Sequence, residues 1–286
     1  MRRIITILVL GIITSGYGFS QTSVWEINKG EKKIYLGGSV HILRSGDFPL
    51  PREFDVAFSS ANVLVLEADI KDPAMMNKIL KEGILPDKLT LKSVLTKLQY
   101  TTISRTAYEI GVPIMMIEKM KPAMALMSLN AITVQKIGAT EQGVDMYYYD
   151  KAIAQNKEVN FLESIDFQIN LICNNPFVLD EFIEYSIDGM RKLNTKSKFG
   201  NFIKSWRTGK TASEKEINAM KEKYPSVYKV MLLDRNYKWL PTIEKYFEDD
   251  KTMFVLVGAA HLWGSDGLLN LLKEKGYEIT QLRVNK

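Results

Sequence analysis

The short apolar runs that could serve as buried strands lie toward the two ends of this chain. Ile34–Leu36, Asn62–Leu66 and Thr252–Val257 are compact and rich in β-branched residues or leucine, the pattern of strands buried on both faces. Ser23–Asn28 and Lys33–Leu36 are separated by Lys29-Gly30-Glu31, which predicts a hairpin. A further short strand is expected at Tyr277–Leu282, beyond a helix over Leu268–Lys275 capped by Ser265-Asp266-Gly267. The middle reads differently. Helices are expected at Glu53–Ser60, Pro73–Lys81 with Asp72 as cap, Thr101–Ile110, Pro122–Lys136 and Gly143–Gln155. Ile114–Ile117 and Val159–Leu162 read as short strands. From Asp166 to about Phe247 the pattern is mostly helical, with breaks near Asn174–Pro176, Asn194, Thr208–Lys210 and Pro225. The reading is an α/β domain over residues 21–286. Its central mixed β-sheet is flanked by helices and built from both chain ends, with a large helical insertion at about 95–247.

The first twenty residues are set apart. Arg2 and Arg3 precede an apolar run from Ile4 to Thr14, and Gly18-Phe19-Ser20 offers a small-residue cut before Gln21. Residues 1–20 are therefore expected to be a signal peptide, and the protein to be exported, periplasmic or secreted. The run is too short to span a bilayer, so no stable membrane span should remain after cleavage. The net charge of +5 falls further once Arg2 and Arg3 leave, too mild a balance to argue for nucleic acid. The single Cys173 makes no internal disulfide and reads as packing.

The chain has two histidines, and they stand in matching contexts. Gly38-Ser39-Val40-His41 follows one apolar run; Gly258-Ala259-Ala260-His261 follows another. In open α/β sheets, sites lie beyond the carboxyl ends of the strands, and a glycine there lets backbone turn sharply or approach a ligand. Glu67 directly follows Val63-Leu64-Val65-Leu66, where a carboxylate is costly to bury unless paired or metal-bound. Two histidines and one carboxylate form a common catalytic metal set that leaves a position for water. His41, Glu67 and His261 are thus the expected ligands of one divalent metal (Mn, Co, Zn or Fe). Asp69 is a reserve ligand or base, or a loop residue. Glu163 follows its own short strand and could be a general base, a ligand, a cap or a salt-bridge partner. Asp145 could orient a metal-bound histidine or sit at a helix N-terminus. Arg235, beside Asn236, could hold a substrate carboxylate or an oxyanion, or make an ion pair between elements. Met116, Met120, Met124 and Met127 step along one predicted helical face, as core or as a soft-metal or haem surface.

These residues carry a resemblance to the TraB/GumN family, which includes Tiki-type metalloproteases and is related in fold to erythromycin-esterase and ChaN-like proteins. The matching pieces are LGGSVHIL at 36–43, FPLPREFDVAFSSANVLVLEADI at 48–70, KPAMALMSL at 121–129, GVDMYYYDKA at 143–152, FLES at 161–164, LLDRNYKW at 232–239 and FVLVGAAHLWGSDGLLNLLKEKGYEI at 254–279. The resemblance implies a metal-dependent hydrolase with His41, Glu67 and His261 in the metal positions, acting on a peptide or other small substrate. Its ChaN-like relatives imply an alternative, a peptide- or haem-binding protein without catalysis. Thr208-Gly209-Lys210 stands where many members carry Gly-Asp, so any role of that Asp does not carry over. The sequence leaves substrate and oligomeric state open.

Overall fold

The computed structural model describes residues 22–69, 71–140, 142–174, 178–209 and 214–284; residues 1–20, expected to be a signal peptide, and the expected breaks at Pro176 and Lys210 lie outside them. Eight strands are described: β1 (Val24–Lys29), β2 (Lys32–Ser39), β3 (Leu43–Arg44), β4 (Val63–Leu66), β5 (Ala139–Thr140), β6 (Glu158–Phe161), β7 (Met253–Gly258) and β8 (Glu278–Gln281). Six form one mixed sheet in the order β6-β4-β7-β2-β1-β8, and β3 pairs with β5 in a two-stranded ribbon. The β1–β2 hairpin turns at Gly30, whose φ of 60° suits glycine.

β6, β4, β7 and β2 are mutually parallel neighbours. Parallel strands are covered on both faces, and β4 is buried along its whole length. Its side chains alternate between two cores. Leu64 and Leu66 join Phe254 and Leu256 beneath Phe54 and Phe58 of the helix Arg52–Ser60, Tyr148 of Val144–Ala154, and Trp206 of Lys196–Arg207. Val63 and Val65 join Val255 and Val257 beneath Trp239 and Ile243 of Asp234–Lys245 and Leu268 and Leu272 of Leu268–Glu274. A third core lies among the helices of the middle, including Ile103, Leu126, Leu129, Ile183 and Ile187. The expected α/β architecture is thus observed, with sheet strands from both chain ends and β6 at one edge.

Local differences have local causes. Ile114–Met116 is a turn of 3-10 helix after Pro113, not a strand. Helix Lys97–Glu109 starts earlier than expected because Thr96 and Gln99 form a reciprocal capping box. Met116 and Met120 precede the helix that Pro122 begins, so the four methionines do not form one helical face. The last helix is capped by Gly267 without a side-chain bond; Asp266 instead accepts hydrogen bonds from Lys221 and the Tyr228 hydroxyl.

Candidate active site

The parallel strands present consecutive carboxyl ends to one crevice. β6 ends two residues before Glu163, β4 one before Glu67, β7 at Gly258, and β2 two before His41. The β4–β6 ladder continues past the strands: Leu162 N–H donates to Leu66 O at 2.9 Å and Glu163 N–H to Glu67 O at 2.8 Å. This register sets the two glutamates side by side. Glu67 shares the parity of Val63 and Val65, so it faces the helix Asp234–Lys245 that covers them.

His41, Glu67 and His261 converge on Gly258. A Cβ placed there would lie 3.3 Å from Glu67 Oε1, 3.6 Å from His261 Cδ2 and 3.7 Å from His41 Nε2. The Gly258 N–H also donates to Glu67 Oε1 at 2.7 Å. A glycine at this position therefore keeps open the space that the three side chains share.

The matching motifs place their histidines in unlike surroundings. After Gly258 the chain coils into a 3-10 turn, Ala259–Leu262, and buries His261. Its Nδ1 lies 2.7 Å from Asn236 Oδ1. Asn236 donates through Nδ2 to His261 O at 3.2 Å and Asp266 O at 2.7 Å, so its amide oxygen must face the ring. Nδ1 then carries the proton and the Nε2 lone pair faces the crevice. Burial pushes the His261 pKa down to about 3, which keeps the ring neutral.

His41 lies at the mouth, its side chain 67% exposed. Its backbone is held where Val144 N–H donates to Val40 O at 2.9 Å, and a Cβ on Gly143 would come within 2.3 Å of the His41 carbonyl carbon. The same helix start supplies Asp145, whose Oδ2 lies 2.8 Å from His41 Nδ1. That charge raises the His41 pKa to about 9 and leaves Nε2 pointing into the crevice.

Arg235 binds the cluster from behind. It follows a π-helical segment, Lys229–Leu233, in which Asp234 N–H reaches back to Lys229 O. Such a wide turn shifts the following side chains around the helix. Arg235 Nε and Nη2 grip Glu163 as a fork, each at 2.9 Å; Nη2 also donates to Glu67 Oε2. Nη1 donates to Met231 O at 3.3 Å and His261 Nε2 at 3.1 Å. All five N–H groups are engaged on a side chain 4% exposed. The arginine is therefore the inter-element ion pair of the two readings, with no donor left for an oxyanion in this arrangement. Burial alone would raise the Glu67 carboxyl, but the Arg235 guanidinium, with His41 and the Gly258 N–H, overcomes it and holds its pKa at about 2.

Glu163 is saturated as well. Besides Arg235 it accepts from Trp239 Nε1 at 3.0 Å and Gln168 Nε2 at 2.6 Å, and its side chain is fully buried. It is built as an anchor for Arg235, with no lone pair turned to solvent. Asp69 is not drawn into the cluster; Oδ1 accepts from Lys71 N–H at 3.1 Å. Sequence reasoning passed over Asn236 as a partner of His261, and also Trp239, whose ring lies 4.4 Å from the imidazole. The signal available was helical spacing, since Arg235 and Trp239 are four residues apart on one face.

Among the described residues, no group of three His, Cys, Asp or Glu stands at metal-binding spacing. His261 Nε2 is 3.9 Å from Glu67 Oε1 and is occupied by Arg235. The donor set nevertheless fits a divalent ion in its chemistry. Each imidazole is bonded at Nδ1 to an oxygen, as metal-bound histidines are; His261 Nε2 lies 3.9 Å from Glu67 Oε1, and His41 Nε2 and Glu67 Oε1 both approach the Cβ position of Gly258.

Two curated proteins resemble the chain. It is 24% identical over 247 residues to "Uncharacterized protein YbaP" of Escherichia coli (strain K12), covering 85% of this chain and 89% of that protein. The protein of the same name from Shigella flexneri matches with the same identity and coverage. No solved structure matches. A family model described as TraB/PrgY/gumN family matches residues 23–281, nearly the whole described chain and all the crevice residues above, so the chain belongs to the TraB/PrgY/gumN family.

Proposed function

We propose that this protein is an exported metal-dependent hydrolase that cleaves peptides, with His41, Glu67 and His261 holding one divalent ion, Mn, Co, Zn or Fe. The observation that carries the reading is the convergence of these three side chains around Gly258. Bound there, the ion would bring the acidity of a water toward neutral pH and polarise a substrate carbonyl.

The protein groups do the positioning. Asp145 fixes the His41 ring through Nδ1, and Asn236 fixes the His261 ring likewise. Arg235, itself anchored by Glu163, keeps Glu67 ionised and oriented. Ligation through His261 Nε2 requires its hydrogen bond from Arg235 Nη1 to break, which releases one N–H toward the crevice. Arg235 could then serve a developing oxyanion only in the loaded protein. Export rests on the basic, apolar and small-residue pattern of residues 1–20.

The test combines metal analysis of the purified protein with cleavage of a peptide library under added Mn, Co or Zn. Chelator and His41→Ala should each abolish cleavage. Undiminished cleavage in both, or no cleavage with any ion, overturns the reading.

A further inference from the structure

A cavity of about 430 Å³ opens beside His41 and continues from the crevice. Its wall combines Met75, Met127 and Met146, from the helices Pro73–Glu82, Pro122–Gln135 and Val144–Ala154, with Leu66 at the end of β4. Methionine is unbranched and polarizable, so three of them make a wall that moulds itself to a flexible apolar chain. Glu67, Asp145 and Gln168 also line the cavity, and among its described lining residues none is Lys or Arg. Gln168 gives its Nε2 to the Glu163 carboxylate, which fixes the amide and leaves Oε1 as an acceptor. Apart from His41 at the mouth, the polar groups beside the methionines thus present acceptor oxygens, which favour an N–H donor and disfavour a carboxylate.

We propose that this cavity is the substrate's side-chain pocket and selects a peptide with a long apolar residue, such as methionine, next to the cleaved bond, while Gln168 Oε1 accepts a backbone N–H of the same peptide. The inference rests on the hydrolase reading and deepens it. A peptide satisfies both halves of the pocket at once, because each residue carries a backbone N–H beside its side chain. An aspartate side chain would bring a charge among the methionines and beside the Glu67 and Asp145 carboxylates, which disfavour it.

The experiment uses a positional-scanning library of octapeptide amides carrying methionine, norleucine, aspartate or lysine at each position. Cleaved bonds are read by mass spectrometry and binding by fluorescence anisotropy, on the full chain, Met127→Lys and Met146→Ala. Circular dichroism checks that the variants fold. The expected result is a preference for methionine or norleucine over aspartate of about tenfold or more at one position flanking the cleaved bond. Met127→Lys should move the preference toward aspartate, and Met146→Ala should admit phenylalanine in a follow-up set. Equal handling of norleucine and aspartate by the unaltered protein, or an unchanged order in both variants, overturns the pocket assignment. Cleavage without side-chain order leaves the hydrolase reading standing and removes this one. Ordered binding without cleavage under any ion retains the pocket's choice of peptide and removes hydrolysis.

Discussion

Asn236 spends both amide protons on main-chain carbonyls and so turns its oxygen to Nδ1 of His261 at 2.7 Å. A neutral residue thereby fixes the tautomer of a buried ring. Asn236→Ala should lower metal affinity by about tenfold to a hundredfold, since outer partners of a ligating histidine typically matter that much. It also leaves the buried His261 carbonyl and the partly buried Asp266 carbonyl without this donor, at about 1–3 kcal/mol of stability. Titration calorimetry with Mn or Zn and a thermal melt measure the two effects separately. Unchanged metal affinity would remove Asn236 from the site.

Gly258 adopts φ −52° and ψ 134°, which any L-residue tolerates. The Gly258→Ala methyl would enter the space between the two imidazoles and Glu67, with its closest contact at 3.3 Å. The fold should survive at a cost on the order of 1 kcal/mol. Metal uptake should fall by about tenfold or more, because the methyl stands where the ligands meet. Equal uptake by Gly258→Ala and the unaltered protein, measured by metal analysis after dialysis, would place the ion elsewhere.

The pair of Gly-x-x-His motifs was legible because its meaning is local. A strand end, a small residue and one imidazole need only the parity of a strand and the topology of a parallel sheet. Glu67 was legible for the same reason. The placement of Arg235 was not, since it depends on the π-turn at Lys229–Leu233 and on Glu163 being brought beside Glu67 by the β4–β6 ladder. The short run Ile114–Ile117 misled because a few apolar residues carry no period that separates a strand from a turn. The methionine stripe failed where Pro122 starts a new helix and Met116 and Met120 fall outside it.

Asp145 makes His41 a stronger base than an ordinary imidazole. Its charge raises the imidazole to about 9, so the imidazolium persists well above the ordinary range near 6.5. A pKa raised on folding gives stability that is complete below the unfolded value and lost as pH rises toward the folded one. The His41–Asp145 pair should therefore contribute below about pH 6.5 and fade on the way to about 9. The contribution is small because water screens a ring this exposed. In Asp145→Asn the His41 ring should titrate close to its ordinary value. Proton NMR of the His41 ring against pH checks this, and an unshifted midpoint in Asp145→Asn would mean that Asp145 does not set the ring's charge.

Glu163 separates two accounts of the site. If it acted as a general base with spare lone pairs, Glu163→Gln would abolish activity and leave stability alone. The geometry gives the opposite expectation. Its two oxygens accept from Arg235 Nε and Nη2, Trp239 Nε1 and Gln168 Nε2, and an amide nitrogen cannot accept from any of them. Breaking one side of a buried ion pair costs about 3–5 kcal/mol, a fall in Tm of roughly ten degrees for a chain of this size. Replacing Arg235 as well, in Glu163→Gln/Arg235→Met, removes the guanidinium left short of one carboxylate but strands Glu67, which Arg235 also pairs, so it should recover only part of that loss. A melt of the two variants beside Arg235→Met completes the cycle. A double variant as unstable as the sum of the singles would show that Glu163 and Arg235 act independently. A stable Glu163→Gln without activity would return Glu163 to the chemistry.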